Sequence, residues 1–286
     1  MLPPSQRHIF LTLLHTVFYL AAGVAQTYMT FRYGAKYMLC MVVATYTYAI
    51  GLALRYGLHS HPDDQHLYIA ENILTIISTC GIAIANCMIL ERLCRWLKGD
   101  DHLWMRPNRL TAIFVTSDIC TFLVQGVGGG LSVTGNADRA ALGQNLSLTG
   151  LIAQLLSFSV FTSMSIRFLY RVRKHEPYLW LRQDRLPFLR DWRGLAYALC
   201  LSSAGVLVRS FYRITELSEG YQGYLATNEK YFYALEALPL LISASVFIPF
   251  WPGRFIPSTE ELKVSKSAME LVSTTASGRG LLRSIR

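Results

Sequence analysis

Four carboxylates, Glu71, Asp118, Glu229 and Glu236, and two arginines, Arg209 and Arg213, fall inside or at the mouths of long apolar runs. Asn72, Gln125, Gln154 and Glu216 add polar groups in the same runs or just beyond them. In hydrocarbon an ionisable side chain costs about 2.5–3.5 kcal/mol even on lenient insertion scales, so each needs a partner or a purpose. Two chemistries fit. Arg209 and Arg213 can neutralise Glu216 or Glu236 and hold helices together. Alternatively, the set lines a polar cavity that receives the headgroup of an amphiphile; buried carboxylates such as Glu71 and Glu236 suit a cationic amine in low dielectric. The readings overlap, because a polar cavity must also be satisfied when empty.

The elements that must position these residues are apolar runs at 8–29, 37–56, 68–93, 110–131, 146–169, 194–214 and 231–251. Each is about 20 residues or slightly longer, enough to cross the hydrocarbon as a helix. The chain is 52% hydrophobic and only 16% charged, against about 25% charged for a soluble domain. The expected fold is therefore an all-α integral membrane protein, a seven-transmembrane-helix bundle over 1–256, followed by a disordered tail over 257–286. Twenty-one of the 27 lysines and arginines fall on one side if the N-terminus is outside. The positive-inside rule then predicts N-terminus outside and C-terminus cytosolic. The net charge of +9 thus reports topology, and no nucleic-acid partner is expected. On this topology Asp118 lies in the inner half, and the other charged residues in the outer half or near the midplane. Asp118 and Gln125, seven apart, share a helix face, as do Glu229 and Glu236.

Other features read as structural. Gly126–Gly130 (GVGGG) ends the fourth helix with no preceding strand, so it is a site of close helix packing or a helix break at a cavity mouth, not a phosphate loop. His59, His61 and His66 beside Asp63 and Asp64 form a short outer loop without a helical ligand pattern, and no metal or cofactor is expected. The six cysteines lie in or at the ends of apolar stretches, and Cys80, Cys87 and Cys94 share one face. The sequon at Asn145 lies close to the bilayer. Segment 170–193 alternates bases with Tyr178, Trp180, Phe188 and Trp192, a pattern suited to headgroups.

The run IFVTSDICTFLVQGVGGG (113–130) resembles the signature of the fungal lipid-translocating exporters, the RTA-like proteins. Three further blocks follow in register: AENILTIISTCGIAIANCMILERL (70–93), GLIAQLLSFSVF (150–161) and VRSFYRITELSEGYQGYLATNEKYFYALEALPLL (208–241). The resemblance covers about 10–255. It implies a seven-helix protein associated with export or flipping of amphiphiles, sphingoid long-chain bases and sterol-like toxins among them; some relatives are linked to haem or porphyrin movement. The family's polar positions fall on Glu71, Asp118, Gln125, Gln154, Arg209, Arg213, Glu216, Glu229 and Glu236. Two positions depart from the pattern: no proline stands near Thr79–Cys80, and Trp251 replaces a histidine ahead of Pro252-Gly253.

The function expected is translocation of amphiphilic lipids without ATP hydrolysis by this chain, which has no Walker-type loop. Its partners would be membrane lipids or amphiphilic small molecules. The expected location is the plasma membrane, with the vacuolar and endoplasmic reticulum membranes as alternatives. A seven-helix lipid sensor controlling other transporters is the competing class. A metal-dependent lipid hydrolase is disfavoured, because the internal helices offer only His15 as a histidine. No enzymatic activity is expected.

Overall fold

A computed structural model describes residues 4–60, 65–97, 107–132, 137–175, 192–219 and 229–254. The loop residues 61–64, most of the basic-aromatic segment (176–191) and the tail at 257–286 lie outside the described residues, as does the side chain of Glu229.

Apolar sequence with few backbone competitors folds as helix in hydrocarbon, since a helix satisfies every peptide group within one segment. Among the described residues, six helices are long and apolar enough to cross a membrane: α1 (Pro4–Tyr33), α2 (Leu39–Ser60), α3 (Gln65–Trp96), α4 (Pro107–Ser132), α5 (Ala137–His175) and α6 (Trp192–Glu219). The seventh apolar run is divided. It comprises α7 (Glu229–Phe232), a π-helical turn (Tyr233–Ala237) and α8 (Leu238–Ser245), which follow one another without interruption. Pro239 accounts for the division. It has no N–H to donate to the preceding turn, and its ring crowds the carbonyl four residues back, so the helix widens just ahead of it. The Tyr19 hydroxyl donates to the Ala237 carbonyl at 2.7 Å, tying this widened turn to α1.

Neighbours in sequence are neighbours in space. The ring runs α1, α2, α3, α4, α5, α6, α8 and closes on α1. Helix α3 occupies the middle, touching α2, α4, α5, α6 and α8. Most of its residues from Ile82 to Cys94 are buried, and Cys80, Cys87 and Cys94, which share one face by their spacing, are buried too. The outer faces of α1, α4 and α5 expose large apolar side chains such as Val17, Leu123 and Leu156, as lipid contact requires.

Of the two readings of GVGGG, close packing or a helix break, the structure has the first. GVGGG does not break α4: the helix continues through it to Ser132. A Cβ on Gly128 would lie 2.4 Å from the Ser147 hydroxyl and 2.7 Å from the Gly143 carbonyl, so this stretch is a close crossing of α4 over α5. Trp251 is fully buried, and its indole N–H reaches the Gly34 carbonyl at 3.5 Å. It caps the α1–α2 turn, where Gly34 and Ala35 both take left-handed backbone (φ 74° and 69°).

Candidate functional site

The polar residues separate into two groups. The first gathers at the end of the bundle that carries the α2–α3 and α6–α7 connections. Arg209, on α6, is buried and donates to Glu236 of the π turn at 3.1 Å. Glu236 itself is 0% exposed. One turn further along α6, Arg213 donates to Glu216 at 2.9 Å and to the side-chain amide oxygen of Asn72 on α3 at 2.7 Å. Its Nη1 also stands 3.7 Å from the second oxygen of Glu236. Spacing explains the geometry: Arg209 and Arg213 are four apart and share one face of α6, while Glu236 enters between them from the last helix. Arginine suits the position, because one planar fork serves a carboxylate and an amide together.

A second ion pair flanks the cluster. Arg55 near the end of α2 donates to Glu71 on α3 at 2.9 Å, and its guanidinium stacks over the Phe232 ring at 3.7 Å. Neither Arg55 nor Phe232 stood out in the sequence as a site residue. Arg55 is visible only as an outer arginine at the end of a run, and its partner is 16 residues away across a loop.

The cluster is not fully satisfied. Nε of Arg209 and Oε2 of Glu236 are both buried and make no hydrogen bond among the described residues. Two polar atoms in the same buried place remain able to bind a polar group.

The second group lies between α3, α4 and α5. Gln125 donates to Gln154 at 2.8 Å, and the Gln154 amide in turn faces the Cys80 sulfur at 3.8 Å. The Cys80 thiol is directed at the backbone carbonyl of Asp118, 3.9 Å away. The carboxyl of Asp118 is buried, and its Oδ2 has no hydrogen-bond partner among the described residues. Asp118 and Gln125 share the buried face of α4 that their spacing predicts, yet they serve different partners.

The structure therefore brings Asn72, Arg209, Arg213, Glu216 and Glu236 together, pairs Glu71 with Arg55, pairs Gln125 with Gln154, and sets Asp118 apart. Sequence reasoning missed two polar ties. Gln26 bridges Thr45 (3.0 Å) and the Ala244 carbonyl (3.0 Å), and Asn86 accepts from Ser202 at 3.1 Å. A glutamine near the end of the first apolar run was the available signal.

An apolar cavity of about 410 Å3 opens elsewhere, on the lipid-facing side between α2, α3 and α4. Val43, Ile77, Ile84, Ile119 and Phe122 line it, with Cys80 in its wall. None of the charged cluster reaches it.

Comparison with known proteins accords with this arrangement. Residues 41–259 match the model of the family described as RTA1 like protein. Protein RTM1 of Saccharomyces cerevisiae is 32% identical over 68% of this chain and 60% of its own length. Protoporphyrin uptake protein 1 of the same yeast is 30% identical over 72% of this chain and 65% of its own. The yeast sphingoid long-chain base transporter RSB1 is 29% identical over 71% of this chain and 61% of its own. The chain thus spans less than two thirds of the length of each of these relatives. No solved structure matches. The family model matches residues 41–259, most of the chain, which makes this protein a member of the RTA1-like family.

Proposed function

We propose that the chain moves single amphiphilic lipids across a membrane, with the Arg209–Glu236–Arg213 cluster as the polar station for the headgroup. The observation that carries this reading is a fully buried ion pair, between a helix of membrane length and the π turn of the last run, that leaves Arg209 Nε and Glu236 Oε2 without hydrogen bonds among the described residues. Intramembrane ionisable groups are costly and mark substrate or ion pathways. A cluster built only for stability would spend its hydrogen-bonding capacity internally. Relatives named for sphingoid-base transport and for protoporphyrin uptake support an amphiphile as the cargo. A sphingoid base is the favoured class: its cationic amine can compete for Glu236 while its hydroxyls meet the arginines. No enzymatic step belongs to this reading.

The topology goes with it: N-terminus outside, C-terminus cytosolic, supported by the distribution of 21 of 27 basic residues. The cluster then lies in the outer half of the bilayer, and the plasma membrane is the location proposed.

The test is a reconstitution. Purified full-length chain in liposomes, without ATP or other protein, is expected to accelerate translocation of a labelled long-chain base above protein-free liposomes. A porphyrin is the second substrate arm. Binding of either ligand with no acceleration of either would overturn transport in favour of a lipid sensor that acts through other proteins.

A further inference from the structure

Away from the helix ends, the described interior holds three arginines, and each meets a glutamate: Arg55 with Glu71 at 2.9 Å, Arg209 with Glu236 at 3.1 Å and Arg213 with Glu216 at 2.9 Å. Those charges sum to zero. Asp118, on the buried face of α4, is the carboxyl left over. It is 1% exposed, and among the described residues it has no ion pair and its Oδ2 has no hydrogen bond.

Helices α3 and α5 pack against α4, and the donors gathered there pass the carboxyl by. The Cys80 thiol and the Thr121 hydroxyl are both directed at the Asp118 backbone carbonyl, at 3.9 and 3.0 Å. The Gln154 amide faces the Cys80 sulfur, and the Gln125 amide donates to Gln154. An ionised carboxylate would be the strongest acceptor in this neighbourhood, since hydrogen bonds to a charged group are about twice as strong as neutral ones. No donor has turned to it. The titratable groups that face Asp118 from α3 are Cys80 and Cys87, and α5 brings a glutamine and no charge among the described residues. Burying a lone carboxylate costs several kcal/mol, and taking up a proton removes that cost. The packing around Asp118 is therefore that of a neutral acid.

With Asp118 neutral, the empty interior carries no net charge. A monovalent cation received at the arginine–glutamate cluster would leave one positive charge in excess, unless a negative charge appears with it. The paired glutamates are already ionised, arginine does not titrate, and the buried thiols are weaker acids than a carboxyl. Among the described interior groups, Asp118 is the one that can supply the charge, by losing its proton. We propose that Asp118 is a proton-binding site that exchanges one proton for each cationic headgroup the bundle carries, so that a proton gradient drives the transport. The exchange rests on the transport reading above; the proton site does not. Asp118 releases its proton to the side from which the cation arrives and takes one back from the side to which the cation leaves. One cation crosses in one direction, one proton in the other, and no net charge moves.

Two measurements on purified full-length chain in phosphatidylcholine liposomes test it. The first is infrared absorption at neutral pH. Wild type is expected to show the carbonyl stretch of a protonated carboxylic acid, which the nearly isosteric Asp118→Asn removes and Asp138→Asn, at the exposed start of α5, leaves in place. A wild-type spectrum without that stretch would overturn the site, and that result needs no variant to fold. The second uses a labelled long-chain lipid with a quaternary ammonium headgroup, whose charge carries no proton of its own. With the liposome interior about one pH unit more acidic than the outside, wild type should concentrate the lipid on the inner side about tenfold, the ratio that one proton exchanged per cation sustains. Asp118→Asn should leave the two sides equal. Wild-type protein that speeds translocation but gives equal distribution under the gradient would overturn the exchange and leave the transport reading standing. A carboxylic-acid stretch assigned to Asp118, with no translocation of any lipid, would sink the transport reading and leave the proton site.

Discussion

The bundle satisfies buried polarity in two different ways. Between α6 and the last helix it uses charge: two arginines one turn apart on α6 clasp Glu236 from the π turn and reach Asn72 on α3. Between α4 and α5 it uses backbone proximity and neutral amides: Gly128 and Gly143 let the helices touch, and Gln125 bonds Gln154. The first arrangement is strong only while every charge is present. The second is weak per contact but tolerant. A protein that must admit a polar headgroup needs the first kind of region, since only there does removing or adding one charge change the energy by several kcal/mol.

The largest expected effect follows from breaking the ionic region on one side only. Glu236→Leu leaves Arg209 buried without a counter-charge and should destabilise the protein by about 3–5 kcal/mol. Thermal unfolding in detergent, or loss of a monodisperse peak in size exclusion, reads it. If Glu236→Leu melts with the wild type, the ionic region does not hold the fold.

The next effect belongs to the glycine-packed region. Gly143→Ala would place a Cβ 2.5 Å from the Ser132 nitrogen and 2.6 Å from the Gly128 carbonyl, both backbone atoms that cannot rotate away. A cost of about 1–3 kcal/mol is expected, as for overpacked cores. Gly126→Ala, two residues from the crossing and with nothing within 4 Å of its Cβ, is the control and should be neutral or slightly stabilising. Equal behaviour of the two variants would remove the claim that α4 and α5 are joined by close approach.

The amide pair should matter less. Gln125→Leu is expected to cost about 0.6 kcal/mol and no more than about 1.7, the range found for hydrogen bonds between membrane helices. Smallest of all, Arg95→Ala removes an exposed i, i+4 partner of Glu91 at the far end of α3 and should cost about 0.3–0.5 kcal/mol. Chemical denaturation of all five variants in one detergent ranks them; an amide effect as large as that of Glu236 would erase the contrast between the regions.

Much of this was legible in the chain. Helices of bilayer length follow from the apolar runs, and the inward face of α3 from the spacing of Cys80, Cys87 and Cys94. The pairing of Arg209 and Arg213 with Glu216 and Glu236 was one of two readings, and the geometry contains it. What spacing could not supply was contact between helices remote in sequence. Arg55 finds Glu71 across a loop and Phe232 across the bundle. Gln26 reaches Ala244 over 218 residues. The π turn at Glu236 was hidden for another reason: Pro239 signals a distortion, but its form depends on the Tyr19 hydroxyl donating to the Ala237 carbonyl. That Asp118 Oδ2 has no hydrogen-bond partner among the described residues was also invisible, because such a lack is a property of the whole packed interior.

The central claim is that the buried charges serve a passenger and not only the fold. Replacing both partners of the fully buried pair separates these roles. Arg209→Leu with Glu236→Leu removes the two charges together, and such replacements of buried pairs are often neutral or stabilising by about 1–4 kcal/mol. Translocation of a labelled long-chain base should therefore be measured in liposomes containing the folded double variant beside wild type. The account predicts a protein as stable as wild type that no longer accelerates translocation. A stable double variant that translocates at the wild-type rate would contradict it.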